Sequence, residues 1–392
     1  MKRQCALVLG GYVNGYSIIQ ELHDCGVEDI VLFDYKRNIA SYSNKIKAFY
    51  LIEKNSGSLK EQLLKLHENY DYIVVFPTDD LQVEMLCQIY DEVSEFCFLP
   101  VHKVNSLKYQ DKYEQYMACE RLGIPYPATI RIETPNDLHK LESFLWPAIL
   151  KPTSRKDLTT SVFRSLILQS KQDLDGHLDE LLRYVDEGIS FLASEIIPGD
   201  GFNIYAYTSY RSQKGKILNE WIGKKLSQYP DDFGVFSSAS NYAPMEVLEQ
   251  GRILVDGMNL YGICQSEFKF DYRDNRYKLM EINLRSDMWH RTGNLAGVHI
   301  QYTQWLDAIG EIPPKEVQIK NKNIHYIYYK HELINLFSRP GYAKVFKHNI
   351  WGGDERSFAV FDKRDIRPFL HDIPSTIKGI GGQWLRVLGL RR

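Results

Sequence analysis

The segment KLMEINLRSD, Lys278 to Asp287, sets Glu281, Asn283 and Arg285 at every second position among Leu279, Met280, Ile282 and Leu284. In a strand, side chains two residues apart share a face. A carboxylate, an amide and a guanidinium would therefore line one side of an otherwise apolar strand. Upstream, in QSEFKFDYRDNRYKLMEIN, Glu267, Lys269 and Asp271 alternate with Phe268 and Phe270. The turn-rich DYRDNRY between the two runs predicts an antiparallel hairpin. With a loop centred on Asp274, Glu267 falls opposite Glu281, and like charges across a ladder cost a few tenths to about 1 kcal/mol. Two carboxylates and the Asn283 amide make a hard-oxygen set of the kind Mg2+ shares with phosphate oxygens. A divalent ion would remove the repulsion; on a solvated hairpin face the same charges would do nothing. The loop that follows, SDMWHRTGN, is denser in charged and aromatic side chains than an ordinary surface loop, which favours metal and phosphate.

Lysines form a second set. Lys151 ends the apolar run WPAILKP, Lys112 opens a helix in YQDKYEQY, and Lys224 and Lys225 precede the loop SQYPDDFGVFSSAS. A lysine abutting an apolar strand, as Lys151 does, needs a partner, because lysine is almost never buried alone. A triphosphate is one such partner. A third feature, LGGYVNG, follows a strand and precedes a helix, and Asp34 ends the next strand, as in a dinucleotide-binding turn. Gly10, Gly11 and Gly15 do not make GxGxxG, however, and a tight turn needing small residues explains them.

The elements that must position these residues change along the chain. Up to about residue 100, short apolar runs (CALVLGG, DIVLFDY, DYIVVF) alternate with helical stretches, which predicts a parallel sheet with right-handed crossovers. A helix over Leu107 to Leu122 closes at Gly123, ahead of Pro125 and Pro127. From about Ala128, strand-like runs separated by turns, with one clear helix over Lys171 to Glu187, predict an α+β region with antiparallel strands. The fold class is thus α/β, then α+β. After Pro313 the chain is mixed, and its basic tail STIKGIGGQWLRVLGLRR suits either a membrane or partner contact or a docked closing helix.

At 392 residues the chain is long enough for two or three domains. A net charge of −2 and the lack of a basic run give no reason to expect nucleic acid. No apolar stretch approaches the ~20 residues of a spanning helix, and the amino-terminal apolar run is too short for a signal peptide. The six cysteines are scattered, without CxxC spacing, and read as free thiols in a reducing, cytoplasmic compartment.

Taken in order, the pieces resemble the ATP-grasp superfamily. SLKYQDKYEQYMACERLGIPYPATI resembles its entry helix and GIP-x-P step, WPAILKP its phosphate-lysine strand, and SEIIPG its adenine hinge. SEFKFD and MEINLR resemble its two metal-binding strands. The match covers roughly Ser106 to Ile309. It implies a pre-ATP-grasp, Rossmann-like parallel-sheet domain over residues 1–105 and an ATP-grasp region over 106–312, in which two α+β subdomains clasp ATP. Residues 313–392 form a C-terminal extension to which the resemblance assigns no role.

By position, the resemblance implies phosphate contacts from Lys112 and Lys151, an adenine site framed by Glu195 and Ile197, and ribose contacts from Asp200 or Asn203. It implies Mg2+ (or Mn2+) on Glu267, Glu281 and Asn283, and Arg285 facing the γ-phosphate or a substrate carboxylate. KKLSQYPDDFG resembles a loop of the D-aspartate-ligase-like carboxylate–amine ligases, which puts Lys225 in the catalytic set, although Ser227 stands where that subgroup commonly has arginine. His290 and Arg291 are placed to deprotonate the amine or bind the acceptor; for His290 a structural role is the alternative. PTSRKDLTT and SQYPDDFGVFSS are lid candidates.

The activity implied is ATP-dependent amide formation. γ-Phosphoryl transfer turns an unreactive carboxylate into an acyl phosphate that an amine can attack, and the protein supplies chiefly positioning and charge neutralisation. The partners expected are a small-molecule carboxylate and amine, an amino acid or a cell-envelope glycan or peptide precursor among them; a homo-oligomer is left open. The rivals are an NAD(P)-binding oxidoreductase resting on LGGYVNG and Asp34, and a non-catalytic nucleotide-binding protein.

Overall fold

β1 (Gln4–Leu9) has no solvent exposure from Cys5 to Leu9, as a strand covered on both faces must. It is the centre of a five-stranded parallel sheet with β2 (Ile30–Asp34), β3 (Ala48–Leu51), β4 (Tyr72–Phe76) and β5 (Cys97–Phe98), ordered β3-β2-β1-β4-β5. Helices Val13–Asp24, Ser56–His67 and Asp80–Gln88 supply the crossovers that parallel strands require. The computed structural model describes residues 3–153, 162–199, 201–230 and 234–387. They fall into two units: Met1–Leu107 with Asp200–Glu267 and Asn283–Arg392, and Lys108–Gly199 with Phe268–Ile282.

The glycine turn after β1 is built for packing. Gly10 has φ +85°, and a Cβ on Gly15 would sit 1.9 Å from the Gly10 carbonyl oxygen. The Asp34 carboxylate accepts hydrogen bonds from Gly11 N (2.8 Å) and Asn38 Nδ2 (2.8 Å), so it closes this turn.

The second unit holds an antiparallel sheet ordered β6-β9-β7-β8, from β6 (Thr129–Ile132), β7 (Ala148–Pro152), β8 (Leu166–Leu168) and β9 (Phe191–Glu195). Leu174, Leu181, Tyr184 and Val185 of helix Lys171–Asp186 pack with Leu150, Phe191 and Ala193 in its core. Ser170 caps that helix by accepting from Asp173 N. Helix Lys112–Leu122, capped by Asp111, ends where the sequence predicts, at Gly123 with φ +70°.

A seven-stranded sheet comprises β10 (Ile204–Arg211), β11 (Ile217–Tyr229), β12 (Val235–Ser240), β13 (Gly262–Asp271), β14 (Arg276–Asn283), β15 (Ile324–Ile327) and β16 (Glu355–Phe358). Its order is β14-β13-β10-β11-β12-β15-β16. β13 and β14 are the hairpin predicted from the sequence, turning at Asn275 in the left-handed region (φ 55°). The segment after Pro313, mixed in the sequence reading, extends this sheet: β15 runs antiparallel to β12 and β16 parallel to β15.

Candidate functional site

Lys112 is the first residue of its helix, where the helix dipole disfavours a cation. Its ammonium is paired with Glu281 Oε2 at 2.7 Å. The helix is clamped to β14 to hold this geometry. Gln115, fully buried, accepts from Ile282 N (2.8 Å) and donates to Ile282 O (3.0 Å), and Tyr116 OH donates to Met280 O (3.0 Å). Lys151, on β7, belongs to the same cluster. Burial first, then the charge of Lys112, pull its pKa from 10.5 down to about 8, while Glu281 opposes the fall. The second unit thus gathers Lys112, Lys151 and Glu281.

The same unit ties the β13–β14 turn to β9. The Glu195 carboxylate accepts from Arg273 Nη2 (2.7 Å), Lys278 Nζ (3.3 Å) and Ala128 N (3.0 Å). Asp271 shares both cations, and its bonds to Arg273 hold its carboxyl below the usual range. Lys269 Nζ donates to the carbonyls of Ile197 (2.8 Å) and Gly199 (2.7 Å). Glu195 and Ile197 therefore lie together, in a segment fixed by three cations.

In the first unit, Lys225 Nζ is 2.8 Å from Glu267 Oε2, with both side chains buried. Asp287 is also buried and accepts from Gln265 Nε2. Burial, then the charge of Glu267, push its carboxyl from 3.8 up to about 7. Arg285 Nε is 3.0 Å from Asp80 Oδ1. Glu281, Asn283 and Arg285 are half-buried while Ile282 and Leu284 between them are buried, as the alternation predicts. Glu267 and Glu281 are each paired with a lysine ammonium.

His290 has the geometry of its structural alternative. It is 2% exposed, its Nδ1 contacts the Asp287 carbonyl at 2.7 Å, and burial lowers its pKa to about 4. Its enclosure and its contact with the Asp287 carbonyl suit an imidazole that orders the loop. Ser227 likewise faces inward, donating to Glu332. Glu332 is fully buried and also accepts from Ser237 (2.7 Å), Ser238 (2.8 Å), Tyr342 (3.0 Å) and Asn349 (3.2 Å), a network the sequence gives no means of foreseeing. Asn203 lies in the turn Gly201–Asn203. Asp200, most of the lid candidate PTSRKDLTT (154–160) and residues 231–233 of the other lie outside the described residues. Among the described residues, no group of three or more His, Cys, Asp or Glu is placed to hold a metal ion, and the six cysteines are unpaired.

No family model matches the chain. It is 24% identical over 223 residues to a D-aspartate ligase of Enterococcus faecium, a match covering 53% of this chain and 51% of that protein; the chain spans about half the length of this curated relative. Among solved structures, it is similar to an N5-carboxyaminoimidazole synthetase of Staphylococcus aureus complexed with ADP. That likeness has TM-score 0.63 and 15% identity, covering 91% of this chain and 90% of that one. It is also similar to an L-amino acid ligase of Bacillus licheniformis, with TM-score 0.57 and 13% identity, covering 82% and 79%. A biotin carboxylase of Campylobacter jejuni gives TM-score 0.61 and 12% identity, covering 80% and 73%. These likenesses extend over four-fifths or more of the chain, and the chain has the ATP-grasp fold.

Proposed function

We propose that the chain is an ATP-dependent ligase that activates a carboxylate as an acyl phosphate and joins it to an amine, releasing ADP and phosphate. The observation that carries this reading is the cluster of Lys112, Lys151 and Glu281. Two ammonium groups in one cluster, one of them partly buried, form a site that gains from a polyanion, and a nucleotide polyphosphate would further stabilise the charged form of Lys151. The resemblance to a D-aspartate ligase over half the chain supports an amino acid as one substrate.

The residues that the resemblance assigns to a metal have the donor chemistry of Mg2+ (or Mn2+). Glu267, Glu281 and the Asn283 amide offer hard oxygens, and both carboxylates are already paired with a cation, so positive charge suits these positions. A bound Mg2+ would neutralise charge on the β- and γ-phosphate oxygens. Lys112 and Lys151 would hold those phosphates, with Lys225 beside Glu267. Ile197, Asp200 and Asn203 would meet the nucleoside, and the Glu195 carboxylate would keep that segment in place through Arg273 and Lys278. Arg285 would fix the substrate carboxylate through its planar fork, with Asp80 setting the guanidinium's orientation. His290 acts here as a positioning residue. An ATP-consuming reaction and six unpaired cysteines suit the cytoplasm.

The test is a phosphate-release screen over pools of carboxylates and amines, comparing the unmodified protein with Glu281→Gln. Release that needs both pools, and that Glu281→Gln removes, supports the reading. Equal release from both proteins, or none with any pool, overturns it.

A further inference from the structure

The helix Ile366–Val387 has two faces of opposite exposure. One is inside: Asp372 and Thr376 are buried, Gly379 lies against Ile334 so closely that a Cβ would come within 2.7 Å of its Cδ1, and Gln383 donates to Tyr229 OH (2.6 Å). The other is outside. Ile366, Leu370 and Ile377 are 38%, 53% and 65% exposed. At successive spacings of four and seven residues they fall on one line along the helix.

Among the described residues, the exposed charge of this segment has one sign. The acidic residues of the segment are turned inward: Asp362 is paired with Lys45 (3.0 Å), Asp365 accepts from Ser43 (2.5 Å) and Tyr16 (3.1 Å), and Asp372 accepts from Tyr328 and Tyr329 (3.0 Å each). The exposed charges are basic: Lys363, Arg367 and Lys378. The sequence adds Arg386, Arg391 and Arg392 at its end. No helix in the described residues is long and apolar enough to cross a membrane. An apolar stripe bordered by cations, on a helix too polar to span, has the chemistry of an interfacial helix lying on anionic headgroups.

We propose that the outward face of this helix docks the protein on an anionic bilayer surface, with Ile366, Leu370 and Ile377 entering the headgroup region and Arg367 and Lys378 meeting lipid phosphates. The inference is independent of the ligase reading. A bilayer fits better than a protein groove because the charge is of a single sign and continues along the segment.

The experiment is flotation of the full chain with phosphatidylglycerol-containing vesicles and with phosphatidylcholine vesicles, at low and raised salt. The unmodified protein is expected to float with the anionic vesicles at low salt. Binding should fall about tenfold on neutral vesicles and on raising salt. Leu370→Gln/Ile377→Gln and Arg367→Gln/Lys378→Gln should each lose about tenfold in binding while keeping the unmodified melting temperature, since all four side chains are exposed. Absence of binding to anionic vesicles overturns the proposal, as does binding that Leu370→Gln/Ile377→Gln leaves unchanged. So does size-exclusion behaviour in which the unmodified chain is a dimer and that variant a monomer, because the face would then belong to a second copy.

Discussion

Lys112 Nζ and Glu281 Oε2 are 2.7 Å apart, yet each side chain is 37% exposed. A pair this wet contributes little to stability, on the order of 0–1 kcal/mol. Stability is therefore a weak reason for the clamp of Gln115 and Tyr116 that holds the two in register. Lys112→Met and Glu281→Gln should each move the thermal midpoint by the equivalent of less than about 1 kcal/mol. The same changes should lower substrate-dependent phosphate release by about a hundredfold or more. Calorimetry and a phosphate assay on the same preparations check both halves.

Lys151 carries the opposite signature. Its native pKa of about 8 is below the 10.5 of the unfolded chain, so both states are protonated below pH 8 and the desolvation cost is fully present there. Between about pH 8 and 10.5 the unfolded state binds more protons, and this residue's contribution to stability rises with pH. Lys151→Met should therefore be at least as stable as the unmodified protein at pH 7. Any gain should be about 1 kcal/mol, since partial exposure screens the effect. The advantage should vanish towards pH 10.5. Nucleotide affinity should run the other way and weaken above pH 8, as the ammonium is lost. Melting curves and nucleotide titrations across pH test the two signs.

Asp287 behaves as a buried acid whose carboxyl is raised to about 7. Below about pH 4 it is protonated in both states. From pH 4 to 7 the unfolded state ionises first, and the fold loses stability that it does not recover at higher pH. Asp287→Asn keeps an acceptor for Gln265 and cannot ionise. It should match the unmodified protein near pH 4 and exceed it by about 1–3 kcal/mol at pH 8. A pH-independent difference would contradict the raised pKa.

Much of this was legible in residue order. The period-2 row Glu281, Asn283, Arg285 is half-buried between buried apolar neighbours, and the alternation in the first hundred residues is a parallel sheet. Helix Lys112–Leu122 ends at the glycine that predicts its end. Strands β3 and β5, of four and two residues, were not legible, because a run that short has no measurable period. Nor were the partners Glu267 for Lys225 and Asp80 for Arg285, which lie 42 and 205 residues away. His290 has the residue type of an acid–base group, and only tertiary burial shows it enclosed.

The Glu332 network gives residues 313–392 a physical role. One buried carboxylate accepts from five neutral donors, two of them serines on β12 and one Ser227, two positions beyond Lys225. Glu332→Gln presents an NH2 group to donors and should destabilise the protein by about 2–3 kcal/mol. Differential scanning calorimetry would show the fall, and an unchanged midpoint would mean the network rearranges without cost.

The central claim is that Lys112, Lys151 and Glu281 form a magnesium–nucleotide phosphate site. Isothermal titration of MgATP into the unmodified protein and into Lys151→Met tests it most directly. Saturable binding by the unmodified protein, weakened at least about tenfold in a variant of undiminished melting temperature, is the result expected. No binding to the unmodified protein, or equal affinity in the two, would contradict the claim.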